Sequence, residues 1–136
     1  MGAPNNGPFS YVSGSLQLFI EALNFHSNNS EIQSQVTFKN RSDFINSISK
    51  MDSTIQFQAK RFAKRTTSSY KDFKYEIYSN GLHILKATKP GNVPGSYAEY
   101  VKILFKDGTI RAVYKDTTDN HGHSVHRHIK WPAKEK

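Results

Sequence analysis

The sequence SYAEYVKILFKDGTIRAVYKDTTDNHGHSVHRHIKW, residues 96–131, contains three runs of β-branched and aromatic residues. The dipeptide Asp107-Gly108 and the segment DNHG at 119–122 separate these runs, and both are typical of turns between strands. The pattern predicts an antiparallel meander of three strands.

The register of these strands determines which residues meet, because side chains alternate between the two faces of a sheet. A two-residue turn at 107–108 predicts three cross-strand pairs: Lys102 with Val113, Tyr100 with Lys115, and Ala98 with Thr117. A four-residue loop at 119–122 predicts three more: Thr117 with Ser124, Lys115 with His126, and Val113 with His128.

This register divides the side chains between an apolar face and a cationic face. The apolar face contains Val101, Ile103, Phe105, Ile110, Ala112, Tyr114, Val125 and Ile129, with Arg127 as its polar exception. The cationic face contains Tyr100, Lys102, Arg111, Lys115, Thr117, Ser124, His126, His128 and Lys130. One buried and one solvated face are ordinary for such a sheet. The cationic face, however, contains no carboxylate, so we expect it to bind an anion.

The residue types of the cationic face suit cleavage of RNA without a metal, in which the 2′-hydroxyl attacks the adjacent phosphorus. Histidine transfers protons near neutral pH, while lysine and arginine stabilise charge on phosphate oxygens. His126, predicted opposite Lys115 and beside Thr117, is the strongest candidate for proton transfer. A non-catalytic module that only holds RNA phosphates is an alternative interpretation of the same surface.

Length and composition are consistent with a single basic domain. The chain has 136 residues and a formal net charge of +8, which favours a polyanionic partner such as nucleic acid, or an acidic protein. No apolar run is long enough to span a bilayer, so no membrane association is predicted. The absence of cysteine excludes disulfides and thiolate metal sites. Residues 1–15, rich in Gly, Pro, Asn and Ser, read as a linker before a nuclease domain at 16–136.

The remaining segments predict helices and one further hairpin. Apolar residues at helical spacing follow Ser15, namely Leu16, Phe19, Ile20 and Leu23, and a second capped helix is predicted from Ser42 to Met51. Residues 32–38 fit a strand or a helix, and residues 55–62 are equally ambiguous. A hairpin is predicted across the turn at 79–81. His83 follows this turn between Leu82 and Ile84, and we expect it to face away from both and to lie on the surface. The expected fold class is α+β, with N-terminal helices packed on a twisted antiparallel β-sheet of four to five strands.

Two clusters outside the cationic face could also carry function. Lys60, Arg61, Lys64 and Arg65 form the densest basic run, which is either a solvated helix face or a patch that follows RNA phosphates. Four of the six histidines fall within residues 121–128, so a zinc or nickel hydrolase is a further alternative. Asp119 is the only nearby carboxylate and no H-E-x-x-H motif is present, so no metal or cofactor is predicted.

The segments VPGSYAEYVK at 93–102 and DGTIRAVYKDTTDNHGHSVHRHIK at 107–130 resemble a known class of bacterial proteins. They are similar to the C-terminal half of ribonuclease toxin domains of the barnase/EndoU/colicin/RelE superfamily. Such domains stand at the C-termini of contact-dependent growth inhibition toxins and other polymorphic toxins. The resemblance covers about the last third of the chain, in the ordered pattern P-G-S-x-A-x-Y-x-K, D-G, Y-K-x-T-T-D, G and V-H.

The resemblance implies a role for each matching residue. His126 would be the acid or base, Lys102 and Lys115 would lie near the phosphate, Thr117 would donate a hydroxyl hydrogen bond, and Tyr100 would position substrate or stabilise the transition state. His128 departs from the pattern and raises the option of two histidines sharing the proton transfers. The resemblance also implies tRNA as substrate, an acidic cognate immunity protein as partner, and secretion or cell-surface delivery within a larger toxin that acts in the target-cell cytoplasm.

Overall fold

A computed structural model describes residues 31–131, which form six antiparallel strands and two short helices. The chain order is β1 (Ile32–Asn40), α1 (Arg41–Ser47), a 3₁₀ turn (Ile48–Lys50), α2 (Ser53–Arg65), β2 (Lys71–Tyr78), β3 (His83–Pro90), β4 (Tyr97–Leu104), β5 (Ile110–Thr118) and β6 (Ser124–Trp131). The α+β class is therefore confirmed. The predicted linker at 1–15 and the helix at 16–23 lie outside the described residues.

The strands form one open sheet in the order of the chain, β1-β2-β3-β4-β5-β6. The predicted hairpin is β2–β3, and the predicted meander is β4–β5–β6. The expectation of four to five strands was too low because the ambiguous segment at 32–38 is a strand. Among the described strands, β1 pairs with β2 alone, and it is exposed at nearly every position, which explains its weak apolar pattern.

The two helices follow β1 and are set by a cap and an apolar stripe. Asn40 caps α1, because its Oδ1 accepts a hydrogen bond from the backbone N–H of Asp43 at 2.8 Å. The cap therefore lies two residues before the predicted Ser42. In α2 the buried positions are Ile55, Ala59, Phe62 and Ala63, which share one face of a helix. This stripe resolves the ambiguity at 55–62 in favour of a helix.

The helices cover the sheet face that the sequence predicted to be open. Their buried residues pack against Phe73, Tyr75, Leu85, Ala87, Tyr100, Leu104 and Val113. The Phe62 ring stacks on Tyr100, with ring centroids 4.9 Å apart and planes at 9°. Tyr100 and Lys102 are consequently only 4% and 5% exposed. The prediction that both stand on a solvated surface is wrong, because the strand alternation does not reveal which face the helices choose.

The opposite face contains a second apolar cluster of Leu82, Ile84, Val101, Ile103, Ala112 and Tyr114. Two residues predicted for this apolar face are exposed instead, Phe105 at 38% and Val125 at 58%. Arg127, its polar exception, forms an ion pair with Asp116 at 2.8 Å and lies 5.1 Å above the Tyr114 ring. The guanidinium is thus compensated by charge and by the aromatic face.

The predicted β4–β5 pairing is confirmed, although the turn differs from the one expected. Lys102 lies opposite Val113, Tyr100 opposite Lys115, and Ala98 opposite Thr117. The turn is a three-residue loop at 106–108, closed by the Phe105 N–H donating to the Thr109 carbonyl at 2.8 Å, and Gly108 takes the positive φ that such a loop requires. Arg111 is left without a partner in the ladder, and this bulge restores the predicted register.

The predicted β5–β6 pairing is wrong by two residues at Lys115. Thr117 lies opposite His126, Lys115 opposite His128, and Val113 opposite Trp131. The loop has three residues, 120–122, closed by the Asp119 N–H donating to the His123 carbonyl at 2.8 Å. Val125 is then skipped as a bulge. Because the two changes add to a two-residue shift, the histidines keep their face but change their neighbours.

Candidate functional site

A cavity of about 290 Å³ lies between the C-terminal half of α2 and strands β4–β6. Its lining residues are Arg61, Arg65, Tyr100, Lys102, Ile110, Val113, Lys130 and Trp131, and we call it the basic pocket. Among these lining residues, all from the described part of the chain, there are four cationic side chains and none with a carboxylate. The pocket is therefore suited to an anion.

The helix supplies two of the cations by its period. Arg61 and Arg65 are one turn apart, both are exposed, and they flank the face on which Phe62 is buried. The Arg61 guanidinium also lies 5.8 Å from the centre of the Phe57 ring. Because α2 ends at Arg65, the Arg65 charge lies in the last turn, at the negative end of the helix dipole, which favours cations there.

Lys102 is the most unusual residue of the basic pocket. It is 5% exposed, and within residues 31–131 it forms no ion pair with a carboxylate. The pKa of Lys102 is lowered to about 8, mainly by burial and in addition by the charges of Arg61 and Arg65. A buried ammonium beside two guanidinium groups opposes stability, and such groups concentrate at functional sites.

Tyr100 forms part of the wall of the basic pocket beside Lys102. Burial raises the pKa of the Tyr100 hydroxyl, while Arg65 and Arg61 act in the opposite direction. The hydroxyl therefore stays protonated near neutral pH and can donate a hydrogen bond.

The two candidate histidines, His126 and His128, lie on β6 in two neighbouring rows of cross-strand pairs. His128 is opposite Lys115, which is itself opposite Tyr100, so β4, β5 and β6 each contribute one residue to this row. His126 is in the next row, opposite Thr117. Both imidazoles are exposed. His128 thus occupies the position beside Lys115 that the sequence predicted for His126.

A second cavity of about 570 Å³ contains the remaining predicted residues of the site. We call it the loop cavity, and it is lined by Ser69, Lys89, Pro90, Gly91, Asn92, Val93, Ser96, Tyr97, Ala98, Lys115, Thr117, Thr118, Asp119, Asn120 and Val125. Four residues of the predicted cationic face are therefore divided between two cavities. Lys102 and Tyr100 line the basic pocket, and Lys115 and Thr117 line the loop cavity. The Tyr100–Lys115 cross-strand pair joins them.

Other predicted RNA-binding residues are distributed around the molecule. Lys130 lines the basic pocket. Arg111 lies 5.2 Å from the centre of the Phe105 ring, and the Ser124 hydroxyl donates to Asp116 at 2.6 Å on the opposite face. Lys60 and Lys64 are exposed on α2 without lining either cavity. RNA contact by these last four residues stays a prediction.

Two features of the basic pocket were not found from the sequence. Arg61 and Arg65 of α2 line the same pocket as Lys102 because of how the helix packs across the sheet, and no local sequence pattern reveals that packing. Trp131 was also missed, although a lone tryptophan at the end of a strand with alternating basic residues was a usable signal.

His83 was predicted to lie on the surface and is instead 2% exposed. Its Nδ1 is 2.7 Å from the Tyr75 hydroxyl, and its Nε2 is 3.9 Å from the Asp52 carboxylate. Burial lowers the pKa of His83, against the weaker opposing effect of Asp52. His83 points away from Leu82 and Ile84 as expected, but that direction leads into the core under the helices.

The histidine-rich loop does not assemble a metal site in the described residues. The rings of His121 and His123 are 6.5 Å apart, and His123 Nδ1 is 3.7 Å from Asp119 Oδ2. Across residues 31–131, no three His, Cys, Asp or Glu side chains converge as a ligand set. The hydrolase alternative therefore has no candidate centre in this part of the chain.

Comparison with known proteins adds no identification. No protein family, no curated protein and no solved structure matches this chain significantly. In the described segment 31–131, neither helix has the length and apolar character needed to cross a membrane.

Proposed function

We propose that the chain is a metal-independent endoribonuclease that binds the scissile phosphate in the basic pocket. The observation that carries this proposal is Lys102, buried on β4 between the charges of Arg61 and Arg65 without a carboxylate partner in the described residues. A phosphodiester would supply the missing negative charge. The net charge of +8 favours a polyanion in the same way.

The reaction is attack of the 2′-hydroxyl on the adjacent phosphorus. The bond from the 2′-oxygen to phosphorus forms as the bond from phosphorus to the 5′-oxygen breaks, which leaves a 2′,3′-cyclic phosphate. One proton leaves the 2′-hydroxyl and another joins the departing 5′-oxygen. The protein must therefore supply a base, an acid and stabilisation of the charge on the phosphate oxygens.

The pocket residues, together with the histidines on β6 outside the pocket, suit these three tasks. Arg61 and Arg65 bind the non-bridging phosphate oxygens, with Tyr100 as a neutral donor. Lys102, with its pKa near 8, is a better proton donor to the 5′-oxygen than an ordinary lysine. His128 accepts the proton of the 2′-hydroxyl, and His126 is the alternative base.

The biological setting of this proposal rests on the resemblance to bacterial ribonuclease toxin domains. On that basis the substrate is tRNA, and the domain is the C-terminal part of a larger toxin that acts in the cytoplasm of a target cell. An acidic immunity protein would be the cognate partner, and it would block the phosphate site by binding over the basic pocket.

A non-catalytic RNA-binding module is the second candidate. It is favoured by the positions of His126 and His128, which are exposed and do not line the basic pocket. In that case the cavities hold RNA while no base is placed at the 2′-hydroxyl.

The deciding experiment is incubation of the purified protein with tRNA and with total RNA in EDTA, followed by mapping of the product ends. We expect cleavage with 2′,3′-cyclic phosphate ends. Lys102→Met should reduce the rate by about 100-fold or more, whereas Lys39→Met, at an exposed position of β1, should cleave normally. Binding without cleavage would favour the module, and cleavage only with added metal would refute the proposal.

A further inference from the structure

The loop cavity has the size and lining of a ligand site, although the phosphate chemistry proposed above does not use most of it. Its volume of about 570 Å³ lies within the range of small-molecule sites, roughly 300–1,000 Å³. Lys89 and Lys115 provide positive charge beside the carboxylate of Asp119, Asn92 and Asn120 provide amide groups, and Tyr97, which is 41% exposed, is the aromatic residue of the lining. Charge, amide and aromatic groups together are the means by which proteins bind single-stranded RNA.

Internal hydrogen bonds hold both loops that form this cavity. In the β3–β4 loop, the Gly91 N–H donates to the Ser96 carbonyl at 2.9 Å and the Ser96 hydroxyl donates to the Val93 carbonyl at 2.6 Å. In the β5–β6 loop, Asp119 Oδ1 accepts from the backbone N–H groups of His121 and His123, each at 2.9 Å. The cavity walls are therefore formed before any ligand arrives.

The two loops also contact each other closely. Gly95 has φ +90°, and a Cβ added there would lie 3.1 Å from the Asn120 Cβ. A glycine is thus needed both for the backbone conformation and for the approach of the second loop.

The loop cavity is next to the basic pocket. Tyr100 lines the basic pocket and Lys115 lines the loop cavity, and these two residues are directly paired across β4 and β5. Cα atoms of such a pair are about 5 Å apart. A strand of RNA with its phosphate at Tyr100 and Lys102 would therefore have an adjoining nucleoside at the loop cavity.

We infer that the loop cavity binds the nucleoside next to the phosphate held in the basic pocket, with the base stacked on Tyr97 and its edge facing the asparagines. This inference rests on the RNA-binding part of the proposed function and extends it from a phosphate site to a base-binding subsite. It makes the β3–β4 and β5–β6 loops the determinants of which RNA position is bound.

The test asks whether removal of one RNA base and obstruction of the loop cavity have coupled effects on the affinity for RNA. The probes are 2′-O-methyl RNA oligonucleotides, which cannot be cleaved through the 2′-oxygen. Each oligonucleotide has one abasic position, and its affinity for the protein is measured by fluorescence anisotropy. In the unaltered protein one abasic position should weaken binding by about 5- to 150-fold, the range for loss of one stacked base. In Val125→Trp, whose larger side chain would occupy part of the loop cavity, the same abasic position should have a clearly smaller effect.

Val36→Trp is the matched control, because Val36 is also an exposed strand valine, 47% against 58%, and it lies on β1 at the other edge of the sheet. This variant should keep the full abasic penalty, and thermal melts should show that both variants fold. Equal abasic penalties in the two tryptophan variants would overturn the inference.

The outcomes for this subsite and for the nuclease are separable. Coupling without RNA cleavage would support the base subsite and refute the nuclease. Cleavage without coupling would do the reverse. Failure to bind any of the oligonucleotides would overturn both.

Discussion

Replacement of Lys102 by methionine should stabilise the fold and lower the rate of RNA cleavage by about 100-fold or more. Lys102 is 5% exposed and its pKa falls from 10.5 to about 8, chiefly through burial. At about 1.4 kcal/mol per pH unit, this fall corresponds to about 3 kcal/mol of destabilisation when the lysine is charged. Methionine keeps an unbranched chain of similar length without the charge, so it should recover most of that free energy.

The effect should depend on pH in a defined direction. Between about pH 8 and 10.5 the unfolded chain holds the Lys102 proton while the folded chain has released it. The free energy of unfolding of the unaltered protein therefore rises with pH across this window. The advantage of Lys102→Met should be about 3 kcal/mol at pH 7, equivalent to a Tm roughly 9–15 °C higher, and should fall to about 1 kcal/mol at pH 10.

Urea denaturation of both proteins at pH 7 and pH 10 measures this difference, and other titrating groups cancel because they are common to both. Lys39→Met, at an exposed site, should change the unfolding free energy by no more than about 0.5 kcal/mol at either pH. A Lys102→Met protein that is less stable than the unaltered protein, by the same amount at both pH values, would refute the assignment of Lys102 as a buried uncompensated cation.

Three further predictions concern the core and the buried polar groups. Phe62→Ala should cost about 3–5 kcal/mol in urea denaturation, because this fully buried ring stacks on Tyr100 and supports the pocket wall; a loss below 1 kcal/mol would contradict the helix packing. Asp116→Ala should cost about 3 kcal/mol by removing the carboxylate paired with the buried Arg127, and the loss should persist at high salt. His83 has a lowered pKa in the folded state, so the free energy of unfolding should decrease as the pH falls below 6.5, and His83→Gln should weaken this dependence in pH-resolved melts.

The sequence revealed which residues share a face along most of β4 and β5, because alternation is a local property of strands. Ile110 and Ser124, which lie next to bulges, are on the opposite face from the one predicted. It did not reveal which face the helices cover. Apolar residues are present on both faces, with Leu104 and Val113 on one and Val101 and Ile103 on the other. Tyr100 and Lys102 therefore became the wall of a pocket under α2 instead of part of an exposed surface.

The register of the last hairpin shows a second limit. Both predicted turns are in fact three-residue loops closed by a glycine with positive φ. Each loop shifts the strand register by one residue from the predicted one. After Gly108 the bulge at Arg111 cancels this shift, whereas after Gly122 the bulge at Val125 increases it to two residues. A bulge depends on how neighbouring strands twist and pack, so the exchange of His128 for His126 beside Lys115 was not accessible from the sequence.

The most direct test of the basic pocket compares two variants of α2 that lose the same charge. Arg61 and Arg65 line the pocket, while Lys60 and Lys64 are exposed on the same helix outside it. We expect Arg61→Gln/Arg65→Gln to lower the rate of RNA cleavage in EDTA by about 100-fold or more. Lys60→Gln/Lys64→Gln should lower it by less than about tenfold, through weaker general attraction of RNA. Equal losses in the two variants would show that charge alone matters, and would contradict a phosphate site between α2 and the sheet.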